Sequence, residues 1–422
     1  MSVLECLQAR GLIDAVTSEG LQERVRTPLK VYIGFDPTAD SLHLGNLMGI
    51  LVLKWFQRFG HTPVVVLGGA TGSIGDPSGK SAERPLMETS VVRANVQAIR
   101  KHFEKILDLS GALPLPLFFN NEEWYARVSV IDFLRDVGRH FRVGAMLAKE
   151  SVKARLHSEE GISFTELSYQ LFQAFDFYHL WKHEGVCLQM GGSDQWGNIT
   201  AGIELIRRMG GGGAYGATWP LLTRSDGKKF GKTEEGALWL DPGKASPYQF
   251  YQYFVRLPDP DVIRLMRLLT FMPLDEVARY EALMTDQDYI PNTAQRRLAE
   301  EVTRIVHGEE GVAAALKATE IASPGSKGAL DAEALQQIAR DIPHAILERA
   351  EVLGRTFAEA AARSGLCSSK GEATRLIQNG GAYLNNRSVG EVHACITAED
   401  LIGGRYVLLG AGKKKKLLIE VK

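Results

Sequence analysis

Apolar positions follow two different rhythms along this chain. Over the first half, short runs rich in β-branched and aromatic residues alternate with stretches of helical period. The runs are "KVYIGF" (30–35), "TPVVVLGG" (62–69), "LPLFF" (115–119), "VCLQMGG" (186–192) and "ATWPLLT" (217–223). Between them, 46–60, 91–107, roughly 130–183 and 194–208 read as helices. Such alternation predicts an α/β fold, a parallel sheet covered by helices. Ligands then bind beyond the carboxyl ends of the strands. After about residue 245 the strands stop. "PYQFYQYFVRL", "DVIRLMRLL", "LDEVARYEALM" and "TAQRRLAEEVTRIVHG" keep helical period, predicting an all-α region to about 321. "ASPGSKGALDAE" reads as a linker. A last unit holds the helix "RTFAEAAARSG", then "KGEATRLIQNGGAYLNNRSV", a helix running into a turn and a strand, and closes with "RYVLLGAGKKKKLLIEV". The expected domains are 1–244, 245–321 and 351–422, with 322–350 as linker.

Length and charge narrow this picture. At 422 residues the chain exceeds one ordinary core. An apolar fraction of 45% and a charged fraction of 23% suit a globular protein. The formal net charge of -1 gives no global basic field, so a nucleic acid would have to be bound by a local patch. Cys6, Cys187, Cys367 and Cys395 are scattered, against a disulfide framework or a zinc cluster. No apolar run approaches the ~20 residues of a membrane span. The first residues carry acids and lack an apolar core, unlike a signal or transit peptide, so a cytoplasmic protein is expected.

Candidate chemistry sits where strands hand over to helices. "GDPSGKS" (75–81) resembles a phosphate-binding P-loop, but only three residues separate Gly75 from Gly79, and Pro77 removes an amide such a nest needs. Asp76 then reads as a carboxylate aimed at a cation, such as a substrate ammonium. In "FDPTADSLHLGN" (35–46), a helix starting near Asn46 offers an anion site at its N-terminus. His43 could donate to a phosphate, Thr38 adds a hydroxyl, and Gly45 leaves room for a base or ribose. The competing reading is a capped turn with a surface histidine. "SDGKKFGKT" (225–233) alternates lysines with glycines, suiting a mobile phosphate clamp or merely a solvated basic loop. In "SFTELSYQLFQAFDFYHLWKH", Tyr169, Gln173 and Asp176 share one helical face among apolar neighbours. A buried Asp needs a partner, and a phenol O–H or other protein groups could serve. His179 and His183, also i and i+4, would need a third ligand to hold zinc. In "GGSDQWGN" (191–198), Asp194 and Gln195 suit ribose hydroxyls and polar substrate groups.

Together these segments resemble the class I aminoacyl-tRNA synthetases. "HLGN" is similar to their HIGH motif and "KFGKT" to KMSKS. "YIGFDPTADSLHLG", "GGATGSIGDPSGKSAER" and "GGSDQWGN" resemble the bacterial-type tyrosyl branch in order and spacing, and the last unit resembles an S4 RNA-binding domain. The resemblance implies a Rossmann-like catalytic domain, a helical domain and a small α+β RNA-binding domain. It assigns Tyr32 and Asp176 to the tyrosine hydroxyl, Asp76, Tyr169 and Gln173 to its ammonium, and Gln195 to the region near its carboxylate. Thr38 and His43 match γ-phosphate contacts. Gly34, Asp36, Gly45, Asn46, Gly192 and Asp194 fall on the ATP side, together with His43 and Lys232. Lys80, Arg84, Lys229, Lys232 and Thr233 match a mobile pyrophosphate clamp. Two positions depart from the family pattern. Asn46 stands where His is usual and keeps a hydrogen-bonding group, and Ile33 replaces a common Cys, removing a weak ribose contact.

The implied reaction has two steps. Tyrosine attacks the α-phosphate of ATP, giving tyrosyl-adenylate and pyrophosphate, and the tyrosyl group then passes to the terminal ribose of tRNA(Tyr). A carboxylate is already ionised at neutral pH, so the first step needs no general base. Positioning and charge stabilisation carry it, with Mg²⁺ arriving on ATP and no protein-bound metal. Lys370, Arg375, Arg387 and the run Lys413, Lys414, Lys415 and Lys416 are the expected RNA-backbone contacts. Family members are homodimers. A nucleotidyltransferase sharing the opening motif would lack the RNA-binding unit. An RNA-binding protein on a dead scaffold would be expected to lose His43 or the loop lysines.

Overall fold

The computed structural model describes residues 1–78, 87–156, 161–225, 230–233, 236–321, 330, 332, 335, 339, 342–412 and 415–422. These divide into two compact units, interleaved along the chain. Met1–Lys244 and Leu257–Val306 form the first, and Ala245–Arg256 and His307–Lys422 the second.

The first unit is built on a six-stranded sheet. Its strands are β1 (Ala15–Val16), β2 (Lys30–Phe35), β3 (Thr62–Leu67), β4 (Leu117–Asn120), β5 (Leu188–Gly192) and β6 (Tyr215–Trp219), in the order β1-β6-β5-β2-β3-β4. All neighbours run parallel except β1, an antiparallel edge. Valines 64, 65 and 66 on β3 are buried on both faces, as a parallel strand under helices requires. Tyr32, Val64 and Val66 pack with Phe177 and Leu180 of the helix Phe164–Glu184. That helix is capped by the Ser163 hydroxyl, which accepts from Glu166 N–H, and stops at Gly185 in the left-handed region, φ 70°. The helix predicted from residue 46 begins at Leu44 instead, because His43 rather than a later residue caps it. Two short strands, β7 (Lys232–Thr233) and β8 (Gly236–Ala237), pair antiparallel.

The predicted helical region is present. It comprises Pro247–Val255, Asp259–Leu269, Leu274–Leu283 and Thr293–Ile321, the last broken at Gly308, φ 73° and ψ -176°. The second unit adds a five-stranded sheet of β9 (His344–Leu347), β10 (Ala382–Leu384), β11 (Arg387–Ser388), β12 (Tyr406–Ala411) and β13 (Lys415–Val421). Their order is β11-β10-β12-β13-β9, antiparallel except for β9 beside β13. Strand β9 alternates exposed and half-buried residues over only four positions, too short a pattern to read in advance. Asn385 and Asn386 both adopt positive φ, 48° and 63°, the conformation a two-residue hairpin demands. Ala318 and Ile321 share a core with Tyr248, Tyr406, Leu408 and Leu418. Most of the predicted linker "ASPGSKGALDAE" lies outside the described residues.

Candidate active site

The carboxyl ends of β2, β3, β4 and β5 converge on a polar network inside the first unit. Asp176, 3% exposed, lies at its deep end. One carboxylate oxygen accepts from Trp124 Nε1 and Tyr125 OH, both at 2.8 Å, and the other from Asn121 Nδ2 at 3.1 Å. Burial pushes the Asp176 carboxyl up to about 7, the three donors pull it back, and the charge of Asp36 adds to the rise. An ionised carboxylate accepts about four hydrogen bonds. Two are filled by N–H donors and a third is shared, because Tyr125 OH has one proton and also lies 2.7 Å from Phe172 C=O, so a further donor has a place. Tyr32 stands 1% exposed on β2. Burial and the charges of Asp176 and Asp36 hold its phenol far above the usual range, so it stays a donor.

Asn121 connects this end to the next. Its amide donates to Thr71 Oγ1 at 2.9 Å, and Thr71 Oγ1 donates to Asp36 at 2.7 Å. Tyr169 OH donates to the other oxygen of Asp36 at 2.8 Å. Asp76 accepts from Gln195 Nε2 at 2.7 Å and from the Ser78 N–H at 3.0 Å. Asn198 Nδ2 lies 3.0 Å from Gln173 Oε1 and 3.3 Å from Gln195 Oε1. Asp36, Tyr169 and Asp176 thus belong to one hydrogen-bonded cluster, and Asp76, Gln173 and Gln195 to a second. Asn121, Thr71, Trp124, Tyr125, Ser78 and Asn198 are the connectors that sequence reading missed. Thr71, Ser78 and Asn198 lie inside the motifs quoted above and Asn121 lies just past the strand run "LPLFF", whereas Trp124 and Tyr125 carried no such signal.

The opening segment forms the other end. His43 caps the helix Leu44–Arg58 with its ring, whose Nδ1 accepts from Gly45 N–H at 3.0 Å. The ring proton of a neutral His43 therefore sits on Nε2. Asn46 completes a capping box, its Oδ1 accepting from His43 N–H at 3.1 Å. Gly45 is required here, since a Cβ would fall 2.8 Å from the His43 ring. The capped turn of the competing reading is thus present, with His43 itself as the cap. Thr38 is exposed, and Gly34 is the exposed position of β2.

Comparison with known proteins agrees in extent as well as in motif. Residues 23–322 match the family described as "tRNA synthetases class I (W and Y)", and residues 334–419 match a "Tyrosine--tRNA ligase SYY-like C-terminal domain". The chain is 52% identical over 420 residues to a tyrosine–tRNA ligase of Protochlamydia amoebophila, covering 100% of this chain and 99% of the relative. The chain belongs to the class I tyrosyl-tRNA synthetase family. It is also similar to a chloroplastic/mitochondrial tyrosine–tRNA ligase of Arabidopsis thaliana, 50% identical over 430 residues, covering 100% of this chain and 84% of that one. Among solved structures, a C-terminally truncated Aspergillus nidulans mitochondrial tyrosyl-tRNA synthetase has a TM-score of 0.66 at 32% identity, covering 74% of this chain and 92% of that one.

The remaining candidate positions of this synthetase are spread wider. Ile33 is buried, 3% exposed, and offers no polar contact. Gly192 closes β5, and Asp194 follows in a single 3-10 turn. Lys80, Arg84 and Lys229 lie outside the described residues, while the backbones of Lys232 and Thr233 form β7. In the second unit Arg375 and Arg387 are exposed, and Lys370 pairs with Glu359 at 2.9 Å. Lys413 and Lys414 lie outside the described residues. Lys415 is exposed, but Lys416 turns inward on β13, and burial lowers its amine to about 8. His179 stacks on Trp124, centroids 4.5 Å apart. Among the described residues no helix is long and apolar enough to cross a membrane.

Proposed function

We propose that this synthetase joins L-tyrosine to tRNA(Tyr) through tyrosyl-adenylate, with the residues above in specific roles. The observation that carries the assignment is Asp176, a buried carboxyl held by Trp124 and Asn121 and sharing the Tyr125 hydroxyl with Phe172 C=O, with room for a further partner beside the buried phenol of Tyr32. A substrate phenol can donate to Asp176 and accept from Tyr32. Phenylalanine would leave both unpaired in a dry pocket. Asp76, steadied by Gln195, takes the ammonium with Tyr169 and Gln173. Asp36, Gly34, Gly192 and Asp194 face the adenosine, and Thr38 and His43 the phosphates. Lys80, Arg84, Lys229, Lys232 and Thr233 close on the departing pyrophosphate. Mg²⁺ enters with ATP as part of the substrate. The deciding experiment is ATP–pyrophosphate exchange with each of the twenty amino acids. Exchange driven by one other than tyrosine would overturn the reading.

The domains are read as catalytic over 1–244, helical over 245–321, linker over 322–350 and S4-like over 351–422. The change of matched family between residues 322 and 334 supports a boundary there. The S4-like unit is assigned to tRNA through Lys370, Arg375, Arg387 and Lys413 to Lys415, and the inward-turned Lys416 is removed from the set. Replacing Arg375 and Arg387 by Ala should weaken charging and flatten its salt dependence while exchange persists. Unchanged charging over a salt series would remove that role. A homodimer is proposed through an apolar face on neighbouring helices, where Val130, Ile131, Val143 and Phe164 are 73%, 71%, 63% and 76% exposed. Sedimentation of Ile131→Lys as a dimer of unaltered strength would exclude that face. The cytoplasm, where tyrosine, ATP and tRNA meet, is the proposed setting.

A further inference from the structure

Residues 238–244, which follow the lysine loop, lie antiparallel against residues 40–44, which open the helix capped by His43. Leu44 N–H donates to Leu238 C=O and Leu240 N–H to Leu42 C=O, both at 2.8 Å, with His43 and Trp239 bridged between them. Leu42, Leu44, Leu238 and Leu240 are all 3% exposed or less. At the far end Lys244 pairs with Asp40 and stands 5.0 Å over the Trp239 ring. At the near end Leu238 N–H donates to Gly231 C=O at 2.8 Å, within the lysine motif itself. Gly231 adopts φ +78°, and a Cβ there would crowd Leu44 at 3.1 Å. The loop's other end is fixed as well, where Ser225 N–H and Oγ bond the buried carboxylate of Asp261 at 2.9 and 3.1 Å.

One hydroxyl closes this strap from behind. Ser41, 4% exposed, donates to Leu42 C=O at 2.8 Å and accepts from Asp241 N–H at 3.2 Å. A serine hydroxyl has one proton and two lone pairs. With its proton on Leu42, the 3.3 Å contact to His102 Nε2 uses the second lone pair, so His102 is the donor. His102 is 5% exposed on the helix Thr89–Ile106, which carries none of the family motifs. All three valences of Ser41 are thereby satisfied inside the core, and its orientation is fixed.

We propose that His102, acting through Ser41, is a positioning residue for tyrosine activation: it holds strap 238–244 in register with 40–44 and so fixes the placement of His43. The proposal rests on the assignment of His43 to the phosphates. Nothing in this contact reaches the tyrosine pocket, so its loss should alter the activation rate and leave tyrosine binding alone.

The test compares three variants of the full chain by stopped-flow adenylate formation, with tyrosine dissociation constants from equilibrium dialysis. His43→Ala reports on the underlying assignment. His102→Leu keeps bulk and removes the donor, and His102→Gln places an amide nitrogen near the position of Nε2. Loss of one buried hydrogen bond predicts an activation rate about tenfold lower for Leu, largely restored by Gln, with tyrosine affinity within about twofold of wild type. A wild-type rate in His102→Leu while His43→Ala is slow overturns the strap alone. A wild-type rate in His43→Ala overturns both. Equal slowing by Leu and Gln, or a matching loss of tyrosine affinity, shows a merely structural histidine and also overturns the proposal. Should His102→Leu fail to fold, Lys244→Met, at the exposed end of the strap, carries the same test. It is expected to slow activation a few fold at unchanged tyrosine affinity, and a wild-type rate there overturns the proposal.

Discussion

The Asp176 end and the His43 end of this site are built in opposite ways. Around Asp176, side chains from positions 36, 71, 121, 124, 125 and 169 are cross-linked by hydrogen bonds in a buried network. Around His43, one short segment does nearly everything, capping a helix with the His43 ring in a partly exposed position. A rigid, desolvated network suits recognition, because a wrong substrate leaves polar groups unpaired. A helix terminus suits charge that appears only during reaction. Binding and rate should therefore separate by region, and mutations can break or sharpen that division.

The largest separation is expected from His43→Ala. Removing a donor that acts on developing charge should lower the adenylation rate by about 10²–10³, with the tyrosine dissociation constant within about twofold. Pre-steady-state kinetics reads both, and a loss confined to substrate binding would reduce His43 to a cap. Asp176→Ala should do the reverse. Trp124 loses its acceptor and the substrate phenol its partner, and tyrosine affinity is expected to fall about a hundredfold by equilibrium dialysis. An unchanged affinity would break the comparison.

A subtler effect follows from the same carboxyl. Asp176 rises from 3.8 to about 7 on folding, so between those values the native state holds a proton the unfolded chain has lost. Its contribution to stability is present below pH 4 and lost as pH rises through 7, at up to about 1.4 kcal/mol per unit. Asp176→Asn does not titrate and should flatten the decline in urea-unfolding free energy between pH 4.5 and 7.5. An identical slope in both proteins would place the group's pKa elsewhere. Smallest of all, Asn46→Ala removes one half of a capping box and should cost about 1 kcal/mol of stability by the same unfolding measurement. A much larger fall in activity would give Asn46 a direct role toward ATP.

The same contrast explains what could be read in advance. His43, Gly45 and Asn46 stand within four residues, and the chemistry of a helix start fixes their spacing, so the sequence displays it. The parallel strands were legible for a similar reason, since valines 64 to 66 must be apolar on both faces. Tyr169, Gln173 and Asp176 showed through helical period alone. Their partners did not, because Trp124 and Tyr125 come from a helix of four residues, Glu122–Tyr125, too short for any period. The inward turn of Lys416 was hidden in a run of like charges, where the alternation of a strand cannot be seen until its partner β12 is known.

The interleaving of the two units bears on how the chain is made. The helix Pro247–Val255 leaves the ribosome before its own partners exist. Phe250 and Phe254 are 0% exposed in the finished protein, with Phe250 against His307 and Gln252 bonded to Thr319. Until residues from 307 onward emerge, that apolar face has nothing of its own unit to cover it. Growing chains between those lengths are the ones most in need of a chaperone, and a stalled or nonsense-truncated product ending there is an early target for proteolysis.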